Sequence, residues 1–175
     1  MTEDHPWYAV YTKSRYEKKL AEKLKEKGIE AYVPLKKVVR QWSDRKKLVS
    51  EPLIRSYCFV RPQPGPRQYD QVLDTDGAVR FVWFSGKPAP IPNKQIDILK
   101  VITGADVEVD VAPGTFHKGA SVRINAGPLA GVTGELIEIA GRHRVLIKID
   151  HLDQGLTVSI SPLLIEPYQN PTSAK

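Results

Sequence analysis

What this chain lacks narrows it first. Its 175 residues include one cysteine, Cys58, so no disulfide can form within the chain. Disulfide-stapled secreted domains are thereby excluded, and the expected setting is the reducing cytoplasm. Cys58 stands in the apolar run Tyr57-Cys58-Phe59-Val60, where it reads as a buried small hydrophobe. No apolar run approaches the roughly 18 residues that a bilayer span requires, so no membrane contact is expected. The opening Met1-Thr2-Glu3-Asp4-His5-Pro6 is acidic and polar, without the apolar core of a signal peptide. His5, His117, His143 and His151 show no metal-ligand spacing with Cys, Asp or Glu. A phosphate-cradling Gly-x-x-x-x-Gly-Lys loop and a nucleophile elbow are both missing. So is the carboxylate cluster a nuclease would need; Asp74 and Asp76 bracket a helix end, where turn chemistry accounts for them. The expectation is a protein that binds, with no cofactor, no metal and no enzymatic activity.

Positive charge is missing from one stretch and crowded into another. Residues 1–100 hold 20 Lys/Arg against 12 Asp/Glu, residues 101–115 hold none against 3, and residues 116–175 hold 6 against 5. The net charge of +6 therefore arises in the first hundred residues, mostly in 13–47, where 13 basic residues face 5 acidic ones. A basic face confined to one region is the electrostatic footprint of a polyanionic partner. With 41% hydrophobic and 26% charged residues, the composition is otherwise that of a globular protein.

The first half interleaves strands and helices. Trp7-Tyr8-Ala9-Val10-Tyr11 is β-prone, and Ser14-Arg15-Tyr16-Glu17 reads as a capping box opening a helix. Tyr16, Leu20, Ala21 and Leu24 fall on one helical face, and Gly28 closes the helix. Lys19 and Lys23 flank the apolar stripe on one side, with Lys18 and Lys25 on the other. Extended segments around 31–35 and 38–39, the charged tip Arg40 to Lys47 and the return through Leu48-Val49 predict a hairpin with a basic, exposed end. Further strands are expected over 56–61 and 79–84, a short helix over 67–74, and a helix opening at Pro92. This pattern predicts one sheet with helices packed on it.

Residues 103–115 are expected to be an acidic linker between domains spanning 1–102 and 116–170. Their Val–acid alternation leaves open a strand docked on one domain. Beyond them, Val122 and Ile124 alternate with polar neighbours, Gly127-Pro128-Leu129-Ala130-Gly131 turns the chain, and Leu136, Ile137 and Ile139 follow. Gly134, inside the second strand, predicts a bulge or a sharp corner. About 60 residues lie near the lower size for autonomous folding, so a small closed barrel is expected.

The stretch Lys118 to Leu136 resembles a KOW motif, which occurs beside nucleic acid in transcription factors and ribosomal proteins. Trp7 to Tyr11 before a basic helix, Glu51 to Val60 in mid-domain, and the KOW stretch behind an acidic segment together resemble the NusG family, over about Pro6 to Pro167. Ser50-Glu51-Pro52-Leu53 and the short basic hairpin are more similar to its operon-specific paralogues of the RfaH type. The resemblance implies an α+β protein, with a ferredoxin-like N-terminal sandwich before an SH3-like KOW barrel. It also implies a cytoplasmic, monomeric elongation and antitermination factor that docks on the clamp helices of RNA polymerase. Residue by residue, Tyr11, Ile54, Tyr57 and Phe59 would meet the polymerase, although the alternation that puts Tyr57 and Phe59 on one strand face leaves open that this face is core. Lys13, Lys19 and Lys23 would face the non-template DNA strand. Gln68, Tyr69 and Asp70 would approach the far side of the cleft. The KOW domain, through Leu129 and Val132, would recruit a ribosomal protein or Rho. Arg55-Ser56 departs from the family's Pro-Gly or Pro-Asn pair before the mid-domain tyrosine. The alternative function is a ribosome-associated or RNA-binding KOW protein, in which Trp42 and Tyr57 stack on single-stranded bases.

Overall fold

The computed structural model describes residues 5–113, 119–139, 141–152 and 154–169. The chain divides into two compact units between Ile96 and Asp97. In the first, β1 (Trp7–Thr12) leads into α1 (Glu17–Glu26) and β2 (Glu30–Tyr32). A separate hairpin of β3 (Leu35–Gln41) and β4 (Lys46–Pro52) follows, then β5 (Tyr57–Arg61), α2 (Gln68–Leu73) and β6 (Ala78–Phe81). A second small hairpin, β7 (Trp83–Phe84) with β8 (Lys87–Pro88), precedes β9 (Pro90–Ile91) and α3 (Asn93–Gly104), which crosses the division between units. The main sheet is antiparallel in the order β2-β5-β1-β6, with β9 continuing the β6 side by pairing with Trp7 and Tyr8 of β1.

Alternation in β1 and β5 sends Val10, Cys58 and Val60 to one face, where Leu20, Ala21 and Leu24 of α1 and Val72 of α2 join them in a buried cluster. Cys58 is fully buried there, and burial pushes its thiol up to about 12, so it stays a neutral hydrophobe. The expected capping box does not form. Tyr16 occupies the N-cap without a side-chain bond, and Glu17 turns inward to another segment. Local spacing matched the motif, but a backbone amide 39 residues away won the carboxylate.

The second unit continues through β10 (Val109–Pro113), β11 (Ala120–Ile124), β12 (Thr133–Ile139), β13 (Arg142–Lys148), β14 (Gln154–Ser159), a 3-10 turn at Pro162–Leu164 and β15 (Ile165–Pro167). These strands form one antiparallel sheet in the order β10-β14-β13-β12-β11-β15, and among the described residues no ladder joins β10 to β15. Gly134 marks a close approach: a Cβ there would run into the Leu146 carbonyl oxygen and the Val145 side chain. Residues 109–113, inside the stretch expected as a linker, pair with β14. The acids of this stretch explain why: the buried Arg144 guanidinium holds Asp110 of the strand at 2.6 Å and Glu108, just before it, at 2.9 Å. The expected linker end at 115 and domain start at 116 lie outside the described residues.

Candidate functional site

Two surfaces of the first unit gather the residues singled out by sequence. On the sheet face away from α1 and α2, the register sets Tyr11 directly opposite Tyr57, with ring centroids 4.8 Å apart. Arg80 pairs with Tyr11 from the other side and lays its guanidinium 4.4 Å from the Tyr11 ring. Phe59 lies two residues along from Tyr57, beside the Tyr32 ring at 6.4 Å. The four expected polymerase anchors are not equally open. Tyr11 is half-buried and Tyr57 buried, while Ile54 and Phe59 retain 1% and 0% of their surface. The chain itself covers Ile54 and Phe59 and leaves Tyr57 only 6% of its surface, so Tyr11 is the most accessible of the four. An aromatic on a strand can serve a core or an interface, and alternation alone does not distinguish them.

The second surface is the polar side of α1 and the turn after α2. Lys13 and Lys23 both reach Asp76, each at 2.9 Å to a different carboxylate oxygen. These two charge-assisted bonds hold the Asp76 carboxyl down at about 2. The turn carrying Asp76 is pinned to the residues on either side of α1: the Lys13 amide donates to the Gly77 carbonyl and Lys27 Nζ to Thr75 Oγ1. Gly77, at φ 102, lies so close to Tyr16 that a Cβ would clash with its ring. Lys13 and Lys19 both approach the Tyr16 ring, at 5.6 and 5.3 Å. The structure thus joins Lys13 and Lys23 through Asp76 and places Lys19 beside them without a bond to Asp76. In the sequence Asp76 reads as turn chemistry, and the placement of Arg80 beside Tyr11 is visible only in strand register.

Two further expected sets are partly covered by the chain itself. Tyr69 packs inward, its ring 5.3 Å from Phe81 and 5.5 Å from Tyr8, with its hydroxyl bonded to the Tyr8 hydroxyl at 3.2 Å. Burial and that bond push the Tyr8 phenol up to about 12. Of the expected cleft contact, Asp70 is exposed and Gln68 half-buried. Leu129 and Val132, expected to bind a partner, are 1% and 6% exposed. The turn between Gly127 and Gly131 folds Leu129 into the interior, because its amides bond back onto Ile124 and the turn itself. Among the described residues no three His, Cys, Asp or Glu side chains could hold a metal ion, and no helix is long and apolar enough to cross a membrane.

Comparison with known proteins covers almost the same ground as these elements. A family model described as transcription termination factor NusG matches residues 5–100, more than half of the chain. Transcription termination/antitermination protein NusG of Staphylococcus carnosus is 30% identical over 169 residues, covering 88% of this chain and 91% of that protein. The Thermus thermophilus protein of the same name is 27% identical over 163 residues, covering 82% and 89%. Among solved structures, one describing domain interaction in Thermotoga maritima NusG aligns with a TM-score of 0.54 and 25% identity, over 94% of this chain and 97% of that one.

Proposed function

Because the chain belongs to the NusG family of transcription factors, we propose that it is an elongation and antitermination factor that docks on the clamp helices of RNA polymerase. In this account the first unit is the ferredoxin-like polymerase-binding domain; its antiparallel order β2-β5-β1-β6, with helical crossovers, supports that assignment. The second is the SH3-like KOW domain, which recruits a further protein such as a ribosomal protein or Rho. The observation that carries the proposal is the Tyr57–Tyr11–Arg80 stack on one sheet face. Rigid aromatics beside a guanidinium are the side chains that anchor protein interfaces at low entropic cost. Ile54 and Phe59 would join that interface only after being uncovered.

Lys13, Lys19 and Lys23 face the non-template strand in this scheme, and Asp76 competes with phosphate for two of them. Ser50-Glu51-Pro52-Leu53 supports an operon-specific role, which the genomic neighbourhood tests: a polysaccharide cluster directly downstream is expected. The family match over the first unit disfavours the ribosomal alternative, since a KOW motif alone would be common to both. Affinity purification of the tagged chain from cells separates the two. Polymerase subunits are expected to co-purify; ribosomal subunits persisting at high salt, without polymerase, would overturn the proposal.

A further inference from the structure

A cleft of about 660 Å³ opens between the start of α1, the base of the β3–β4 hairpin and the turn before β5. Its cations are Arg15, Lys18, Lys19, Arg40 and Arg55. Its two carboxylates are already committed. Glu51 receives the Arg40 guanidinium through two bonds of 2.6 Å, and Glu17 accepts the Ser56 amide at 2.7 Å. Lys18 Nζ donates to the Ser50 carbonyl. Arg15 and Arg55 are both exposed; the Arg55 charge helps to hold the Glu51 carboxyl below its usual range, after the bonded Arg40, whereas Arg15 faces no carboxylate partner among the described residues.

Backbone conformation adds an independent observation. Arg15 sits at φ +63, and Ser56, directly after Arg55, at φ +62. A β-carbon disfavours this region, and glycine would occupy it more cheaply. The chain thus keeps an arginine where its own stability favours glycine, and that arginine points an uncommitted charge at the cleft. Such local strain is a signature of function.

We propose that this cleft is a seat for the sugar-phosphate backbone of a single nucleic-acid strand, with Arg15 and Arg55 each holding one phosphate. The planar guanidinium fork matches phosphate oxygens; Arg15 has no internal partner to surrender, and Arg55 has only its attraction to a Glu51 carboxylate whose hydrogen bonds Arg40 already fills. Lys19 belongs both to the cleft and to the lysine face along α1, so the two positive surfaces are continuous. Continuity favours a polymer of regularly spaced phosphates over a small anion. The proposal rests on the nucleic-acid part of the function proposed above, and adds to it a second seat.

The test is fluorescence anisotropy of the full chain with a labelled oligothymidylate of about twelve nucleotides, followed against salt. Arg15→Gly suits the backbone, so it should melt no lower than wild type, and any binding loss is not a folding defect. The Arg15→Gly/Arg55→Gln variant should bind several-fold more weakly at low salt. Its slope of log K against log[salt] should be shallower by about 1.4, at about 0.7 for each single-strand phosphate contact. A wild-type slope in that variant, with a reduced slope in Lys13→Gln/Lys23→Gln, would overturn the cleft and leave the nucleic-acid function standing. Absence of salt-dependent binding by wild type would overturn both. Inorganic phosphate competing as well as the oligonucleotide, phosphate for phosphate, would contradict the polymer assignment. An oligoglutamate of equal charge that displaces the oligonucleotide equally well would replace it with an acidic protein partner.

Discussion

The Glu17 carboxylate accepts the backbone N–H of Ser56 at 2.7 Å, tying the first turn of α1 to a residue held at φ +62. The Ser56 carbonyl in turn receives the Thr12 amide at 3.0 Å, so the strained turn is fastened from two sides. Arg55-Ser56 departs from the family's Pro-Gly or Pro-Asn pair, yet the turn forms with the left-handed residue at Ser56. Ser56→Gly should relieve about 1–2 kcal/mol of steric cost and return about 0.5–1 kcal/mol in backbone entropy. A small net gain in stability is expected. Glu17→Ala strips a part-buried amide of its acceptor and should cost about 1–3 kcal/mol. Urea unfolding of the two variants checks both signs; a stabilising Glu17→Ala would contradict the tie.

Asp76 bridges Lys13 and Lys23, and its removal should strengthen nucleic-acid binding. Asp76→Asn leaves both ammonium groups free for phosphate, so affinity at low salt should rise and the salt slope steepen. An unchanged slope would show that these lysines do not meet phosphate. The same bridge has a pH signature. Its carboxyl titrates at about 2, below the usual value of about 3.9. The stabilisation it contributes is therefore full above about pH 4 and lost as pH falls through about 2. NMR titration of the Asp76 carboxyl should place its midpoint well below that of an exposed aspartate.

Phe59 has no exposed surface. Phe59→Ala should therefore destabilise the protein by about 3–5 kcal/mol, as expected of a buried phenylalanine. Thermal melting reads this directly. An unchanged melting temperature would show that Phe59 is an open anchor instead.

Arg144 of β13 ties down β10 through Asp110, and through Glu108 just before it. Arg144→Gln keeps hydrogen-bonding capacity but removes the charge that both acids face. Amides of 109–113 should then exchange faster, with protection in β12 and β13 preserved. Unaltered exchange in 109–113 would mean that the ladder with β14 suffices.

Legibility followed range along the chain. The apolar stripe Leu20, Ala21 and Leu24 located α1 because its period is local, and the hairpin tip around Asp44 was marked by its own charge. Glu17 misled because a capping box and a long-range acceptor have the same local spacing. Glu108 and Asp110 read as linker acids because their partner, Arg144, lies 36 and 34 residues away. The inward turn of Leu129 and the packing of Tyr69 on Tyr8 and Phe81 depend on which side of each element meets a core, which only tertiary packing decides. The Lys13–Asp76–Lys23 bridge joins residues more than 50 positions apart, and nothing in the local pattern marks Asp76 as their partner.

The most direct measurement is binding of the purified full chain to elongation complexes assembled from bacterial core RNA polymerase on a bubble template, with pause duration recorded alongside. A stable complex that shortens pauses is expected, with both polymerase binding and pause shortening reduced by Tyr57→Ala. Failure of the folded wild-type chain to bind polymerase, with pauses unchanged, would contradict it.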